Sequence, residues 1–134
     1  MKPLSLISFL LFSICTMNSQ QPSPEQIVQA NLEAYNELDI DGFMSYFSED
    51  IQVRDFDTGK ITADGKPAVR EIYTRLFKAS PQLHSKILKR TVFDNKVIDH
   101  EYITGRNNSP EPLELVLIYE VRSDKIFRIS VIRK

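Results

Sequence analysis

Residues 113–122, LELVLIYEVR, alternate with the period of two that is typical of a β-strand. The odd-numbered positions are all apolar, whereas the even-numbered positions mix charged and aliphatic side chains. This alternation predicts a strand with one buried face and one face of mixed polarity. Val116 and Ile118, on the mixed face, indicate that part of the second face is also covered.

Further strand patterns surround this one. Residues 83–93 and 96–104 flank Asp94-Asn95, a dipeptide that tolerates positive φ and therefore predicts a hairpin turn. Residues 125–133 pair with 113–122 in a second predicted hairpin. One earlier strand is predicted over residues 51–56, upstream of the last helical pattern.

Three amphipathic helices are predicted in the N-terminal half. Ser23, with Pro24 after it and Gln26 three residues on, is a capping box that predicts a helix start. Asp39 can cap a short second helix. The third helix has an apolar stripe at helical spacing, and Ser80-Pro81 ends it. This stripe consists of Val69, Ile72, Tyr73, Leu76 and Phe77.

These elements predict an α+β domain over residues 21–134. The long strands indicate one cone-shaped, curved antiparallel β-sheet, packed on about three N-terminal helices. Helices do not fill a strongly curved sheet completely, so we expect a small-molecule pocket at the open end.

Residues 1–20 have the layout of a secretory signal peptide: Lys2, then a largely apolar stretch, then small and polar residues. The apolar stretch is shorter than the roughly 20 residues that a membrane span requires. We therefore expect cleavage near residue 19 or 20 and a periplasmic or secreted mature form with no membrane attachment. Cys15 is the only cysteine, and Ile14 before it fits a lipoprotein signal poorly, so lipid anchoring is the weaker alternative.

The composition argues against several classes of partner. The formal net charge is −1 and the two signs are interspersed, so no nucleic-acid partner is predicted. The expected mature chain has no thiol, and His84 and His100 do not occur at a metal-binding spacing. Neither a metal nor another cofactor is predicted.

The order of helix, helix, strand, helix and four long strands resembles the nuclear transport factor 2-like superfamily. The likeness is carried by LEAYNELDIDGFMSYFSEDIQVRDF (32–56), GKPAVREIYTRLF (65–77), NKVIDHE (95–101) and LIYEVRSDKIFRI (117–129). Members of this superfamily include ketosteroid isomerases and SnoaL-like polyketide cyclases, and the resemblance implies a cystatin-like roll. Many members dimerise through the convex face of the sheet, so a homodimer is predicted here. The fold alone does not specify the function.

The resemblance to the isomerases also assigns roles residue by residue. It implies that Asp55, at the end of the first strand, corresponds to the proton-transferring base. The alternative is a strand-end carboxylate that caps the turn at residues 57–59 or pairs with Arg54 or Lys60. The tyrosine that donates to the oxyanion in that family falls at Asn31, and Tyr35 lies one turn further on. Leu117 stands where the isomerases have a protonated aspartate. Because the oxyanion donors are largely missing, a steroid-type isomerase is not predicted.

Asp99-His100-Glu101 is the densest titratable cluster in the sequence. Strand alternation places His100 on one face and both carboxylates on the other. An inward His100 would form an acid/base pair with Asp55. Inward Asp99 and Glu101 would instead raise the pKa of one carboxyl group. The sequence pattern is compatible with either face.

We interpret the pocket as a binding site for a small apolar or aromatic molecule, without turnover. Tyr35, Tyr73 and Tyr119 lie on core-facing stripes and are predicted to line it. One alternative is a proton-transfer enzyme (an isomerase, dehydratase or cyclase) with Asp55 as general base. The other is a non-catalytic interaction or assembly module.

Overall fold

A computed structural model describes residues 20–134. Residues 1–19, with Cys15 and nearly all of the predicted signal peptide, lie outside the described residues. Within residues 20–134, no helix is both long and apolar enough to cross a membrane.

Three helices occur where the sequence predicts them: α1 (Pro24–Asn36), α2 (Ile40–Ser45) and α3 (Lys66–Ala79). At the start of α1, the Ser23 hydroxyl accepts the Gln26 N–H, and the Gln26 side chain accepts the Ser23 N–H. This reciprocal capping satisfies two backbone donors that the first helical turn would leave unpaired.

The sheet contains six strands in the order β2-β1-β6-β5-β4-β3. The strands are β1 (Phe47–Asp55), β2 (Ile61–Asp64), β3 (His84–Phe93), β4 (Lys96–Thr104), β5 (Leu113–Arg122) and β6 (Lys125–Arg133). The predicted α+β fold with a curved sheet is confirmed. It differs from the prediction in that β1 and β6 are parallel, so the sheet is mixed. Between β1 and β6 the chain passes through α3 and four other strands, and its return places β6 beside β1 in the same direction.

Irregular positions interrupt four of the five strand pairings. The register shifts at Val53/Arg54, Phe47/Gln52, Ile87/Lys89 and Glu120/Val121. An extra residue on one strand bends that strand and increases its twist. The sheet therefore curves around the helices.

An aromatic cluster joins the three helices beneath the sheet. Phe43 of α2 lies 4.6 Å from Tyr73 of α3, measured between ring centroids. Tyr35 of α1 lies 5.5 Å from Phe77 of α3 in an edge-to-face arrangement. Each such pair contributes about 0.5–1.5 kcal/mol beyond the burial of apolar area. The cluster fixes the spacing of the helices against the open end of the sheet.

Polar contacts attach α1 to its neighbours. The buried Asn31 amide donates to the Phe43 carbonyl at 3.0 Å, which connects α1 to α2. At the end of α1, the Asn36 amide donates to the Ser85 carbonyl at 3.0 Å and accepts the Ser85 N–H at 2.8 Å. This amide satisfies backbone groups of the edge strand β3 that a neighbouring strand would otherwise pair.

The loop after β4 forms a short 3₁₀ turn (Arg106–Asn108) that is held against the end of α3. Gly105 has a φ of +72°, and a Cβ there would collide with the Gln82 carbonyl. The fully buried Ser80 hydroxyl accepts the Asn107 N–H at 2.7 Å. Close backbone approach and this hydrogen bond together fix the position of Arg106.

We predict that Gly105→Ala destabilises the domain by about 2 kcal/mol or more, because left-handed strain adds to a backbone collision. Gly59→Ala is the matched control, since Gly59 has a φ of +71° with nothing within 4 Å of its Cβ position. That control variant should show the left-handed strain alone, about 1 kcal/mol. Urea unfolding of both variants measures the difference, and equal losses would show that the loop is not held by close approach.

Candidate functional site

A cavity of about 230 Å³ lies between the helices and the concave face of the sheet. Most of its wall is apolar and comes from α1, α3, β5 and β6. The residues that form this apolar part include Leu32, Ile72, Leu76, Leu115, Leu117 and Val131. A mostly apolar cavity with few polar groups is typical of a small-molecule site.

Glu101 of β4 places a carboxyl group in this apolar wall. It is 3% exposed. One carboxyl oxygen accepts the Ser85 hydroxyl at 2.8 Å and the other accepts the Tyr119 hydroxyl at 3.1 Å. Burial raises the pKa of Glu101 to about 7, against the two hydrogen bonds, which lower it. Near neutral pH this group therefore exchanges between a neutral acid and a carboxylate.

Asp99 faces the same side of β4, but an arginine neutralises it. Arg90 Nε and Nη2 donate to the two Asp99 oxygens at 2.7 and 2.8 Å. Arg90 Nη1 donates to Gln29 on α1 at 2.8 Å. Asp99 is fully buried and does not line the cavity. Of the two inward carboxyl groups, only that of Glu101 reaches the cavity.

His100 lies on the opposite, outer face of the sheet. Its Nε2 is 2.6 Å from a Glu114 oxygen, and the other Glu114 oxygen accepts from Lys134 at 2.7 Å. Leu115 pairs with Glu101 and belongs to the apolar face of β5, which fixes the direction of both carboxylates. His100 is thus excluded from the cavity. Within residues 20–134, no group of three or more His, Cys, Asp or Glu side chains is placed to hold a metal ion.

Asp55 does not occupy the position expected of a buried base. One of its oxygens accepts both the Thr58 N–H and the Thr58 hydroxyl at 2.8 Å. These hydrogen bonds from Thr58 lower the pKa of Asp55, whereas burial would have raised it. Asp55 does not line the cavity, so the expectation of a cavity base at this position is corrected. The physical reason is local: an aspartate just before a Gly-containing turn caps the backbone of that turn.

Three predicted tyrosines and Leu117 do line the cavity, together with Glu101. Burial raises the pKa of Tyr35, Tyr73 and Tyr119, so their hydroxyls remain neutral donors. Tyr119 donates to Glu101. The other two hydroxyls make no hydrogen bond to any group of residues 20–134 and are available to a bound molecule.

Two charged side chains of the cavity were not predicted from the sequence, and neither was the polar Thr62 of β2. Arg133 of β6 lies opposite Leu115, and its alternation with Val131 was a signal that could have identified it. Arg106 lies in a polar loop with no periodicity, so no pattern distinguished it from a solvated residue. Both arginines line the cavity.

The comparisons with known proteins agree with this architecture. The profile of the SnoaL-like domain family matches residues 28–129. A cystatin-fold protein from Novosphingobium aromaticivorans is 28% identical, with a TM-score of 0.77, over 84% of this chain and 100% of its own. No curated protein matches the sequence.

Two more distant structures have the same fold. A candidate polyketide cyclase from Sinorhizobium meliloti is 23% identical, with a TM-score of 0.66, over 78% of this chain and 92% of its own. A candidate ketosteroid isomerase from Kribbella flavida is 12% identical, with a TM-score of 0.71, over 83% of this chain and 77% of its own. At these identities the likeness shows the fold alone.

We predict that Glu101 makes the stability of the domain fall as pH rises. Its pKa is raised from 4.5 to about 7, so the folded state binds the proton more tightly than the unfolded chain does. The stability that this proton contributes is therefore fully present below pH 4.5 and is lost as the pH rises to about 7, by about 3 kcal/mol in total.

Glu101→Gln isolates this effect, because the other carboxyl groups titrate in both proteins. Urea unfolding across this pH range should show wild type losing about 3 kcal/mol relative to the variant. Parallel stability curves for the two proteins would contradict the raised pKa.

Proposed function

The chain belongs to the SnoaL-like domain family, and on that premise we propose that its cavity binds a small, mostly apolar molecule. The observation that carries this proposal is the Glu101–Tyr119 pair, a buried hydrogen-bonded acid set in an otherwise apolar wall. A carboxyl group that served packing alone would be replaced by an apolar side chain at a gain in stability. Its presence supports a role for the polar pair in contacting a ligand.

The volume of the cavity limits the ligand. An apolar cavity of about 150 Å³ holds benzene, and this cavity is about 230 Å³. A single ring with short substituents fits that space. A four-ring skeleton does not, which agrees with the absence of the isomerase donors at Asn31 and Leu117.

The polar groups suggest how such a molecule would be oriented. The neutral form of Glu101 can donate a hydrogen bond to a ligand oxygen, and its ionised form can accept one. The unpaired hydroxyls of Tyr35 and Tyr73 supply further donors. The aromatic walls of α1 and α3 would hold the ring.

A second candidate function is proton transfer, with Glu101 as general base in place of Asp55. The observation that favours it is the pKa of about 7 for Glu101, because a general base is most effective when its pKa lies near the working pH. An isomerase, dehydratase or cyclase activity would be compatible with such a base. A non-catalytic assembly module remains the third alternative, and it requires no ligand in the cavity.

Export and dimerisation also remain proposals. The apolar stretch after Lys2 supports export, and the mass of the chain recovered outside the cytoplasm should correspond to cleavage near residue 19 or 20.

Ile98 pairs with Ile118, and Val116 pairs with Ile132, on the outer face of the sheet, where all four are half-buried. This apolar strip supports a homodimer, and light scattering that shows a monomer at micromolar concentration would contradict it.

We predict that Leu117→Trp abolishes ligand binding, because the larger side chain fills the cavity that Leu117 lines. Leu88→Trp is the matched control, since Leu88 is an exposed leucine of β3 that does not line the cavity. Toluene, phenol and benzamide serve as probes in ligand-observed NMR. Affinity for at least one probe should fall more than about tenfold in Leu117→Trp and persist in Leu88→Trp, a difference of about 1.4 kcal/mol or more.

If wild type binds neither these probes nor their carboxylate analogues, or if Leu117→Trp binds as well as wild type, the cavity is not a ligand site. The assembly-module alternative would then be favoured.

The enzymatic alternative predicts Glu101-dependent exchange of α-hydrogens in a one-ring ketone. Wild type should catalyse deuterium incorporation into the methyl group of acetophenone in D₂O, with a rate that rises through an apparent pKa of about 7 as Glu101 ionises. Glu101→Gln should lose this exchange, by roughly 100-fold or more. Asp55→Asn should retain it, because Asp55 lies outside the cavity. If ligands bind but no exchange occurs, the result would support ligand binding without turnover.

A further inference from the structure

The cavity has a positive charge that no residue of the described chain neutralises. Its charged lining residues are Glu101, Arg106 and Arg133. Arg106 is half-buried and forms no ion pair with any carboxylate of residues 20–134. Arg133 instead forms an ion pair with Asp55, whose Oδ2 lies 3.9 Å from Arg133 Nη1, so the unpaired charge is that of Arg106.

Glu101 is not the counter-ion of Arg106. The two side chains form no ion pair, and the Glu101 oxygens accept from Ser85 and Tyr119 instead. Of the charged groups near Glu101, Asp99 raises the pKa of this carboxyl group and Arg90 lowers it by a smaller amount. The Arg106 guanidinium is thus not paired with Glu101 on β4, the strand that precedes its loop.

The backbone around Arg106 is fixed in place. Gly105 allows the loop to lie directly against the Gln82 backbone, and Asn107 donates to the buried Ser80 hydroxyl. Because this backbone is already ordered, binding at Arg106 costs rotamer freedom of the side chain but not conformational freedom of the loop. The charge of Arg106 also acts to lower the pKa of Tyr35 and Tyr73, which line the same cavity.

We propose that the ligand is a one-ring carboxylate, with its ring in the cavity and its carboxylate paired to Arg106. This inference rests on the proposed binding function and specifies the class of ligand. The planar guanidinium presents paired donors that match a carboxylate. A phosphate would bring a charge of about −1.5 to −2 into a space that also holds Glu101, which disfavours it.

The test compares acids with their uncharged amides. Benzoate with benzamide, and phenylacetate with phenylacetamide, are titrated into the mature domain at pH about 6, below the Glu101 pKa of about 7. Wild type should bind the acids about tenfold more tightly than the amides, as expected for one charge-assisted pair. Arg106→Gln should lose this preference and still bind the amides.

Two variants serve as controls for the loss in Arg106→Gln. Arg75→Gln removes a guanidinium from the exposed face of α3, where Arg75 pairs with Glu71, and it should keep the preference for acids. Arg106→Lys keeps the charge but not the paired donors. It should show an intermediate preference, and it provides the test if Arg106→Gln does not fold.

The outcomes separate this inference from the function on which it rests. Equal affinity for acids and amides in wild type, or a preference for acids that persists in Arg106→Gln, would overturn the carboxylate assignment and leave the pocket function intact. If wild type binds neither acids nor amides nor the neutral probes, the proposed function fails, and the carboxylate assignment fails with it.

Discussion

The pairing of β4 with the apolar face of β5 is the constraint on which the site depends. Leu115 and Leu117 must face the helices to form the core, and their partners on β4, Glu101 and Asp99, face the same way. In a sheet, a shift of one residue would turn every side chain of a strand to the other face. Burial of the leucines therefore forces two carboxyl groups into the interior.

The two carboxyl groups are accommodated by different means. Asp99 is matched by a bidentate arginine that also reaches α1, so this buried charge links the sheet to a helix. Glu101 has two hydroxyl partners and no cation in contact. Desolvation then makes its neutral form accessible near neutral pH. A group held at such a cost in an otherwise apolar wall is typical of a functional site.

The elements that build the scaffold differ from those that decorate the cavity. Apolar stripes on α1 and α3 and the aromatic cluster between them fix the walls, as expected for a layered α+β fold. The position of Arg106 depends on a close backbone approach at Gly105 and on a buried serine. Polar residues on loops held by a rigid scaffold are common in ligand sites, because loops can vary without loss of the core.

The sequence alone was sufficient to predict the helices, the long strands, the two C-terminal hairpins and the family resemblance. These features follow from periodicity, capping and turn chemistry, which act between residues close together in the chain. It also placed Tyr35, Tyr73, Leu117 and Tyr119 on the side of the cavity.

The turn cap that Asp55 forms is a local contact with Thr58. Three other features depend on contacts that form only in the folded chain: Glu101 faces inward, β6 lies parallel to β1, and Arg106 reaches the cavity. Alternation leaves the two faces of β4 equivalent until β5 pairs with it. A loop residue likewise has no period from which its direction can be read. Contacts between residues distant in the sequence made each of these choices.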